Sequence, residues 1–328
     1  MEIAVEQRPI PWARKEGKRV NSPRSGSIRF VSLAVISFLA LCIIVIVIVV
    51  GSRPPASPPP ASPPSRSPPR HARELSTWVL AQSSLSNVSS AAPSIVMRMF
   101  DHPYVYITAA PGSGDPVPPG WRSVPTVNFK SYGAFAAAVS TGAMPSWTKA
   151  VLYDPEAWPQ TPFNEQTNVG YYMRQFCRLA HSHGWQAIMT PGTDLMNIYP
   201  KLRGETNAQA FIRHNIAGAA ARYADVSEAQ SQTIEISPGS YNWFLSRARF
   251  QALAANPRVV FLGGLTANLL GTTASAAVMY HAAASVTDVV AGFFLNVSRN
   301  APDPANAAQF LQQLAGRQLA TETTAISR

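Results

Sequence analysis

Cysteine and charged residues are both scarce in this chain. It has two cysteines, Cys42 and Cys177, which excludes a small fold held together by several disulfides. Cys42 falls within an apolar run. Cys177 is then the one cysteine of the large domain, so no disulfide is expected within that domain. That residue lies beside an apolar stripe at helical spacing, which favours a buried, inert thiol over an activated nucleophile. Charged residues make up 13% of the chain, about half the roughly 25% found in soluble domains.

A long uncharged run accounts for part of this deficit. No Asp, Glu, Lys or Arg occurs from 30 to 52, and Phe30 to Val50 is almost wholly apolar. At 1.5 Å rise per residue this segment spans a hydrocarbon layer about 30 Å thick. It exceeds the apolar core of a cleaved signal peptide, about 7 to 15 residues, so an uncleaved signal anchor is the favoured alternative.

The charges on either side of the run predict its orientation and the domain organisation. Seven Lys/Arg precede it and four follow closely, an asymmetry that places the N-terminus in the cytoplasm. We expect a single-pass protein of the cell membrane that contacts the lipid bilayer through residues 30–52. Residues 1–29 then form a basic cytoplasmic tail, residues 53–73 a proline-rich linker, and residues 74–328 a large extracytoplasmic domain.

The linker and the net charge each allow a second interpretation. Proline density in the linker predicts an extended, stiff spacer, and a PxxP ligand for a proline-reading module is the alternative. The net charge of +10 suggests nucleic acid as a partner. However, the domain from His71 onward carries 17 basic and 14 acidic residues, and they are scattered. Because nucleic-acid binding needs clustered basic residues, no nucleic-acid partner is expected.

From residue 94 onward, short apolar runs alternate with longer amphipathic stretches, as in strand–helix units with a parallel sheet. The predicted helices cover 131–141, 166–182, 207–222, 238–255, 272–285 and 305–316. The predicted strands are Ser94 to Phe100, Val124 to Phe129, Ala150 to Tyr153, Gln186 to Thr190, Asp225 to Gln232, Arg258 to Gly263 and Val289 to Val297.

Seven or eight such units favour an α/β fold, a (β/α)8-type TIM barrel that is either complete or lacks one strand. An eighth strand is expected in 75–90 or in the loop 102–120. No Gly-x-Gly-x-x-Gly or Walker loop follows any predicted strand, which disfavours an open nucleotide-binding sheet and predicts no cofactor. His181 and His183 are two apart on a predicted helix and do not share a face, so no metal site is expected.

Polar side chains at the ends of the predicted strands should converge at one mouth of a barrel. The candidate substrate-binding residues chosen on this basis are Arg98, Asp101, Trp158, Asp194, Gln230, Gln232, Asn268 and Asn296. Solvent-facing turns are the competing interpretation. In 226–232, Glu228 alternates with small residues and shares one strand face with Gln230 and Gln232. This polar line is either a ligand site or a satisfied structural network.

The segment from Ala150 to Trp158 carries two carboxylates directly after an apolar strand. Asp154 and Glu156 are two positions apart, so both can face the mouth. Close carboxyl groups in a partly dry site have pKa values driven apart, which leaves one acid protonated and the other charged. Glycoside hydrolysis requires this division of roles, and Trp158 offers a ring for sugar stacking. Alternatively, Asp154 caps a turn opened by Pro155 and Glu156 is solvated.

Tyr153-Asp-Pro-Glu156 resembles the Asp-x-Glu that ends the fourth strand in chitinase-type glycoside-hydrolase barrels. The resemblance implies Glu156 as general acid and Asp154 as the carboxylate that orients the acetamido group of the substrate. The two aspartates that this family has upstream are replaced here by Leu152 and Lys149. The phrases at 154–162, 265–268 and 292–296 also resemble uncharacterised membrane-anchored barrel proteins of actinobacteria, which implies architecture alone.

The sequence therefore predicts a membrane-anchored barrel that acts on carbohydrate of the cell envelope. The predicted catalytic residues are Glu156 as general acid with Asp154 or Glu228 as its partner. The alternative is a non-catalytic glycan-binding or envelope-organising barrel, in which cations would neutralise both carboxylates. A tethered module that recruits proteins is a third possibility, which predicts an exposed apolar patch instead of a polar cleft.

Overall fold

The computed structural model describes residues 75–269 and 272–326. These residues belong to the second of two compact units, which covers Pro69–Arg328. Over the described ranges, no helix combines the length and the apolar character needed to cross a membrane. The predicted tail, signal anchor and linker lie outside the described residues.

Eight parallel strands form a closed barrel in the order β1-β10-β7-β6-β5-β4-β3-β2. A short antiparallel ribbon, β8 and β9, lies between β7 and β10 in the chain. The strands are β1 Thr77–Ala81, β2 Val105–Ala109, β3 Val124–Phe129, β4 Ala150–Tyr153, β5 Gln186–Met189, β6 Val226–Ala229, β7 Val260–Thr266, β8 Asn268–Leu269, β9 Thr272–Thr273 and β10 Gly292–Asn296.

Helices cover the outside of the barrel between successive strands. They are α1 Gln82–Ala91, α2 Pro93–Phe100, α3 Tyr132–Ser140, α4 Phe163–Thr167, α5 Val169–Ser182, α6 Asn207–Arg213, α7 Ile216–Ala221, α8 Pro238–Ala255, α9 Ala276–Ala284 and α10 Asp303–Ile326. Side-chain caps fix several starts: the Ser131 hydroxyl accepts a hydrogen bond from Ala134 N, and Thr206 forms a capping box with Gln209. These caps satisfy amide groups that a helix start leaves without partners.

The apolar core has two parts, one on each face of the barrel wall. Inside the barrel, Val79, Leu152, Ile188 and Leu262 pack with their neighbours in a small cluster. Between wall and helices lies a much larger cluster rich in aromatic rings, in which Phe176 stacks on Tyr153 at 5.1 Å between ring centroids. Strand alternation separates these two sets, because successive side chains point to opposite faces.

One predicted strand is wrong. Residues 94–100 belong to helix α2, which has Pro93 in its first turn. Ile95, Val96, Met99 and Phe100 are its buried residues, a spacing that places them on one helical face. The six other predicted strands are confirmed to within a few residues at their ends. Both places considered for the eighth strand hold one, β1 and β2, so the barrel is complete.

Candidate functional site

The inward face of the strands changes from apolar to polar towards the carboxyl end of the barrel. Val226 lies in the inner apolar cluster, and Glu228, two residues later on the same face, is 1% exposed. On β4, Leu152 lies in the same cluster and Asp154 follows two positions later. The polar layer therefore begins one pleat above the packed interior, at the end where barrel enzymes carry their active sites.

Asp154 is the most strongly partnered carboxylate of this layer. Its Oδ2 atom pairs with the Lys130 ammonium. Its Oδ1 atom accepts hydrogen bonds from Thr190 Oγ1 at 3.0 Å and from Gln230 Nε2 at 2.7 Å. A cation and two further donors surround the carboxyl group of this residue, which is 6% exposed. Charge-assisted hydrogen bonds of this kind are stronger than neutral ones.

Glu156 lies beside Asp154 but has no ion-pair partner among the described residues. Gln230 Nε2 donates to Glu156 Oε1 at 3.0 Å and to Asp154 Oδ1 at 2.7 Å. Because one nitrogen contacts both, the two oxygens lie no more than about 6 Å apart, a limit that includes the separation of about 5 to 5.5 Å of retaining glycosidases. Burial, and secondarily the charge of Asp154, raise the pKa of Glu156 to about 7.

Hydrogen bonds also order the loop after β4, which carries Glu156. The Thr161 hydroxyl donates to the Lys130 carbonyl at 2.7 Å and accepts from Trp158 Nε1 at 2.9 Å. Gln166 Nε2 donates to the Trp158 carbonyl at 2.8 Å. Lys130 Nζ lies 5.0 Å from the centroid of the Trp158 ring. One part of that ring is thus engaged by a cation, as in a cation–π contact.

Asp194 approaches the pair from the segment after β5. Its Oδ2 atom accepts a hydrogen bond from Ala157 N at 3.0 Å, and its Oδ1 atom is buried with no hydrogen-bond partner in the described part of the chain. Burial raises the pKa of this carboxyl above its usual value. Gly192 permits the approach, because a Cβ there would lie 2.3 Å from Asp194 Oδ1 and 2.8 Å from Glu156 Cγ.

Glu228 is the most deeply buried carboxyl of the polar layer. Neither of its oxygens has a partner that meets hydrogen-bond geometry within the described ranges. Burial raises its pKa well above the usual value, and the negative charges of Asp154 and Glu156 add to this effect. A Cβ at Gly264 would lie 2.5 Å from Glu228 Oε1 and 2.6 Å from Gln232 Oε1, so both side chains occupy the space that this glycine leaves.

The structure thus brings together Asp154, Glu156, Asp194, Glu228 and Gln230, with Gln232 and Trp158 beside them. Asn268 and Asn296 also belong to the carboxyl end of the barrel. Asn268 follows β7 and Asn296 ends β10. Strand β10 is four strands around the barrel from β4. Asn296 is therefore on the far side of the mouth from the acid pair, whereas Asn268 follows a strand that neighbours β6.

Arg98 and Asp101 do not lie at the mouth. Arg98 is exposed on α2, and Asp101 follows this helix and accepts a hydrogen bond from Arg122 N at 2.6 Å. Asp101 lies shortly before β2, and Arg122 lies shortly before β3. Both residues therefore belong to the amino end of the barrel. The expectation failed because it depended on a strand at 94–100, which is helical.

A cavity of about 580 Å³ lies at the carboxyl ends of β1, β2 and β3. Its polar lining includes Gln82, Ser83, Thr108, Asn128, Lys130 and Gln160. Of these, Gln82, Ser83, Thr108 and Gln160 are not among the polar strand ends that the sequence predicts. Gln82, Ser83 and Thr108 follow or belong to β1 and β2, which the sequence did not resolve as strands. Recognising strands that end near residues 81 and 109 would have identified these lining residues.

No group of three or more His, Cys, Asp or Glu side chains over 75–269 and 272–326 is arranged to hold a metal ion. The acidic side chains of the mouth lie close to one another, but their contacts are with Lys130, Gln230, Thr190 and backbone amides. The arrangement suits proton transfer and charge stabilisation by side chains.

No family model matches the chain, and no curated protein matches it. Among solved structures, hydroxymethylglutaryl-CoA lyase from Pseudomonas aeruginosa is 12% identical at a TM-score of 0.41, covering 69% of this chain and 76% of that one. An active-site mutant of Rhizomucor miehei beta-1,3-glucanosyltransferase, in complex with laminaritriose, is 7% identical at a TM-score of 0.35, covering 68% and 88%. The domain is a TIM barrel. That assignment stands on its own closed order of eight parallel strands with helices between them.

Proposed function

We propose that this TIM barrel hydrolyses carbohydrate of the cell envelope, with Glu156 as the general acid. The supporting observation is the pair of hydrogen bonds by which Gln230 Nε2 joins Asp154 to Glu156. Of the two, Asp154 forms an ion pair, with Lys130, and Glu156 forms none over the described residues. Neighbouring carboxyl groups in unlike environments are typical of an acid and its charged partner.

In this mechanism, Glu156 donates its proton to the glycosidic oxygen as the bond to the anomeric carbon breaks. Asp154, paired with Lys130, stabilises the positive charge that develops on the sugar ring, or orients a substrate substituent as the chitinase resemblance implies. Water then adds to the anomeric carbon and returns a proton to Glu156, which restores the starting state. Glu228 is buried next to the pair, and burial raises its pKa well above the usual value.

The cellular location in this proposal comes from the sequence. The apolar run at 30–52 anchors the chain in the membrane, and the proline-rich linker at 53–73 holds the barrel on the outer side. Envelope polysaccharide is the carbohydrate that a domain tethered in this way meets.

A non-catalytic, glycan-binding barrel predicts that both carboxyl groups are neutralised by cations. Asp154 meets this condition and Glu156 does not, because no ion pair to Glu156 forms within the described part of the chain. A carboxyl group left without a cation and partly exposed at the mouth is what a general acid requires. We therefore prefer hydrolysis to binding alone.

The test is turnover of envelope polysaccharides by the full chain, purified in a detergent without a sugar headgroup, against the Glu156→Gln variant. We expect turnover to fall by about 10²- to 10⁴-fold in the variant. In the wild type, kcat should fall as pH rises through about 7, where Glu156 loses its proton. Glu205→Gln is the matched control, since this glutamate is paired with Arg213 at the surface. Equal turnover by Glu156→Gln and wild type would refute the mechanism.

A further inference from the structure

The cavity at the ends of β1, β2 and β3 is separate from the acid pair but borders it. Lys130 lines the cavity and also forms the ion pair with Asp154. The volume of the cavity, about 580 Å³, falls within the range of about 300 to 1,000 Å³ typical of small-molecule sites. A ligand in this cavity would therefore lie next to the carboxylates without displacing any of them.

The charge of the cavity lining limits the class of ligand. Within the described part of the chain, no aspartate or glutamate lines it, so a cationic ligand finds no counter-charge. Lys130 is the only charged residue that the described ranges contribute to the lining, and Asp154 already neutralises it. An anionic ligand thus gains little electrostatic attraction. The remaining polar groups are hydroxyls and amides, which pair with neutral hydroxyl groups as both donors and acceptors.

Asn128 is the residue that most clearly lacks a partner in this cavity. It pairs in register with Leu152, whose side chain lies in the inner cluster, so Asn128 also points into the barrel. Its Oδ1 atom is buried and has no hydrogen-bond partner among the described residues. An unpaired buried acceptor destabilises the ligand-free protein. A ligand hydroxyl that donates to this amide oxygen would remove the cost.

We propose that this cavity binds a neutral, hydroxyl-bearing sugar ring and that Asn128 is a specificity-determining residue that accepts a hydrogen bond from it. The inference rests on the proposed function, because the ring belongs to the saccharide whose glycosidic bond lies at Glu156. It adds the class of substrate. The sugar unit that enters the cavity is uncharged, so it is neither a uronic acid nor a free amino sugar.

Binding measured without reference to turnover tests this assignment. The full chain, in a detergent without a sugar headgroup, is titrated calorimetrically with five trisaccharides: cellotriose, laminaritriose, N-acetylchitotriose, trigalacturonate and triglucosamine. We expect at least one neutral trisaccharide to bind and both charged ones to bind at least tenfold more weakly. Asn128→Leu should weaken the neutral ligand about tenfold. Asn300→Leu, the same replacement at an exposed loop residue, should leave affinity unchanged.

A second measurement separates ligand binding by Asn128 from a structural role. Removing an unpaired buried amide should raise the urea midpoint of the ligand-free Asn128→Leu variant, or leave it unchanged, while affinity falls. A lower midpoint would show that the fold needs the amide and would overturn the proposal. Failure of every neutral trisaccharide to bind, or tighter binding of a charged one, would also overturn it.

The proposed hydrolysis and the cavity assignment fail in different ways. If a neutral trisaccharide binds in an Asn128-dependent manner and Glu156→Gln leaves turnover unchanged, the hydrolysis is refuted and the cavity assignment stands. If Glu156→Gln abolishes turnover but Asn128→Leu changes neither KM nor affinity, the hydrolysis stands and the cavity assignment is refuted.

Discussion

The mouth of the barrel consists of two unlike halves. The half built on β4, β5 and β6 is filled with carboxyl and amide side chains that contact one another. The half built on β1, β2 and β3 is open, and no carboxylate contributes to its cavity within the described ranges. Lys130 belongs to both, because it lines the cavity and pairs with Asp154.

The difference suggests how a single barrel separates chemistry from recognition. Carboxyl groups with shifted pKa values need close neighbours and little water, so the acidic half is densely packed. A ligand needs space and unsatisfied polar groups, so the open half keeps a cavity and the unpaired Asn128 amide. Lys130 is the residue whose loss should affect both halves.

The largest expected effect is that of Lys130→Met. Removing the ammonium leaves the Asp154 carboxylate buried without a cation, and breaking such a pair costs about 3 kcal/mol of unfolding free energy. Urea unfolding of the full chain at pH 7.5 measures this loss. Adding Asp154→Asn to the same variant should recover most of it, because the uncompensated charge is then absent.

Lys149→Met is the control for this comparison. Lys149 is exposed just before β4, so its replacement should change the unfolding free energy by less than about 0.5 kcal/mol. Equal stability of Lys130→Met and Lys149→Met would mean that the two halves are not linked through the Lys130 ion pair.

The sequence predicted the acidic half far better than the open half. Asp154 and Glu156 follow a strand of four apolar residues, and Glu228 alternates with small residues, so the period of two alone places them at one end of the barrel. That signal depends on local pattern, and six of the seven predicted strands are observed. Their contacts through Gln230 join residues up to 76 positions apart in the chain, and no local pattern contains such a contact.

β1 and β2 of the open half were not resolved as strands because their sequences resemble their surroundings. Thr77–Ala81 runs directly into α1, and the segment 94–100 is rich in β-branched and aromatic residues although it is helical. Tertiary packing of one face of α2 outweighed this weak strand propensity. Arg98 and Asp101 were assigned to the mouth through that error. The residues that β1 and β2 contribute to the cavity were therefore not predicted.

A smaller effect concerns Glu235, a further buried carboxyl of the acidic half. It lies in the 3-10 helix Ile234–Ile236 after β6 and accepts a hydrogen bond from Thr266 N at 2.9 Å. Burial raises its pKa to about 8. The unfolded chain releases this proton near pH 4.5, so the folded state binds more protons between the two values and its stability falls as pH rises.

Glu235→Gln should remove this part of the pH dependence. Between pH 6 and pH 8 the wild type should lose about 2 kcal/mol of unfolding free energy through Glu235, and the variant should not. Urea unfolding at the two pH values measures the difference. Glu205→Gln should leave the slope unchanged, because the Arg213 hydrogen bond holds the pKa of Glu205 at about 2. An identical slope in wild type and Glu235→Gln would show that Glu235 is already ionised.

The smallest expected effect is that of Gly264→Ala on the packing of the acidic half. The added Cβ would lie 2.5 Å from Glu228 Oε1 and 2.6 Å from the Gln232 amide, so both side chains must shift. Because these are the ends of flexible side chains, we expect a loss of about 1 kcal/mol in urea unfolding. Gly316→Ala, at a position of α10 with nothing within 4 Å, should instead gain about 0.5 to 1 kcal/mol. A neutral or stabilising Gly264→Ala would mean that the acidic half has spare room, and the contrast with the open half would then lie in charge alone.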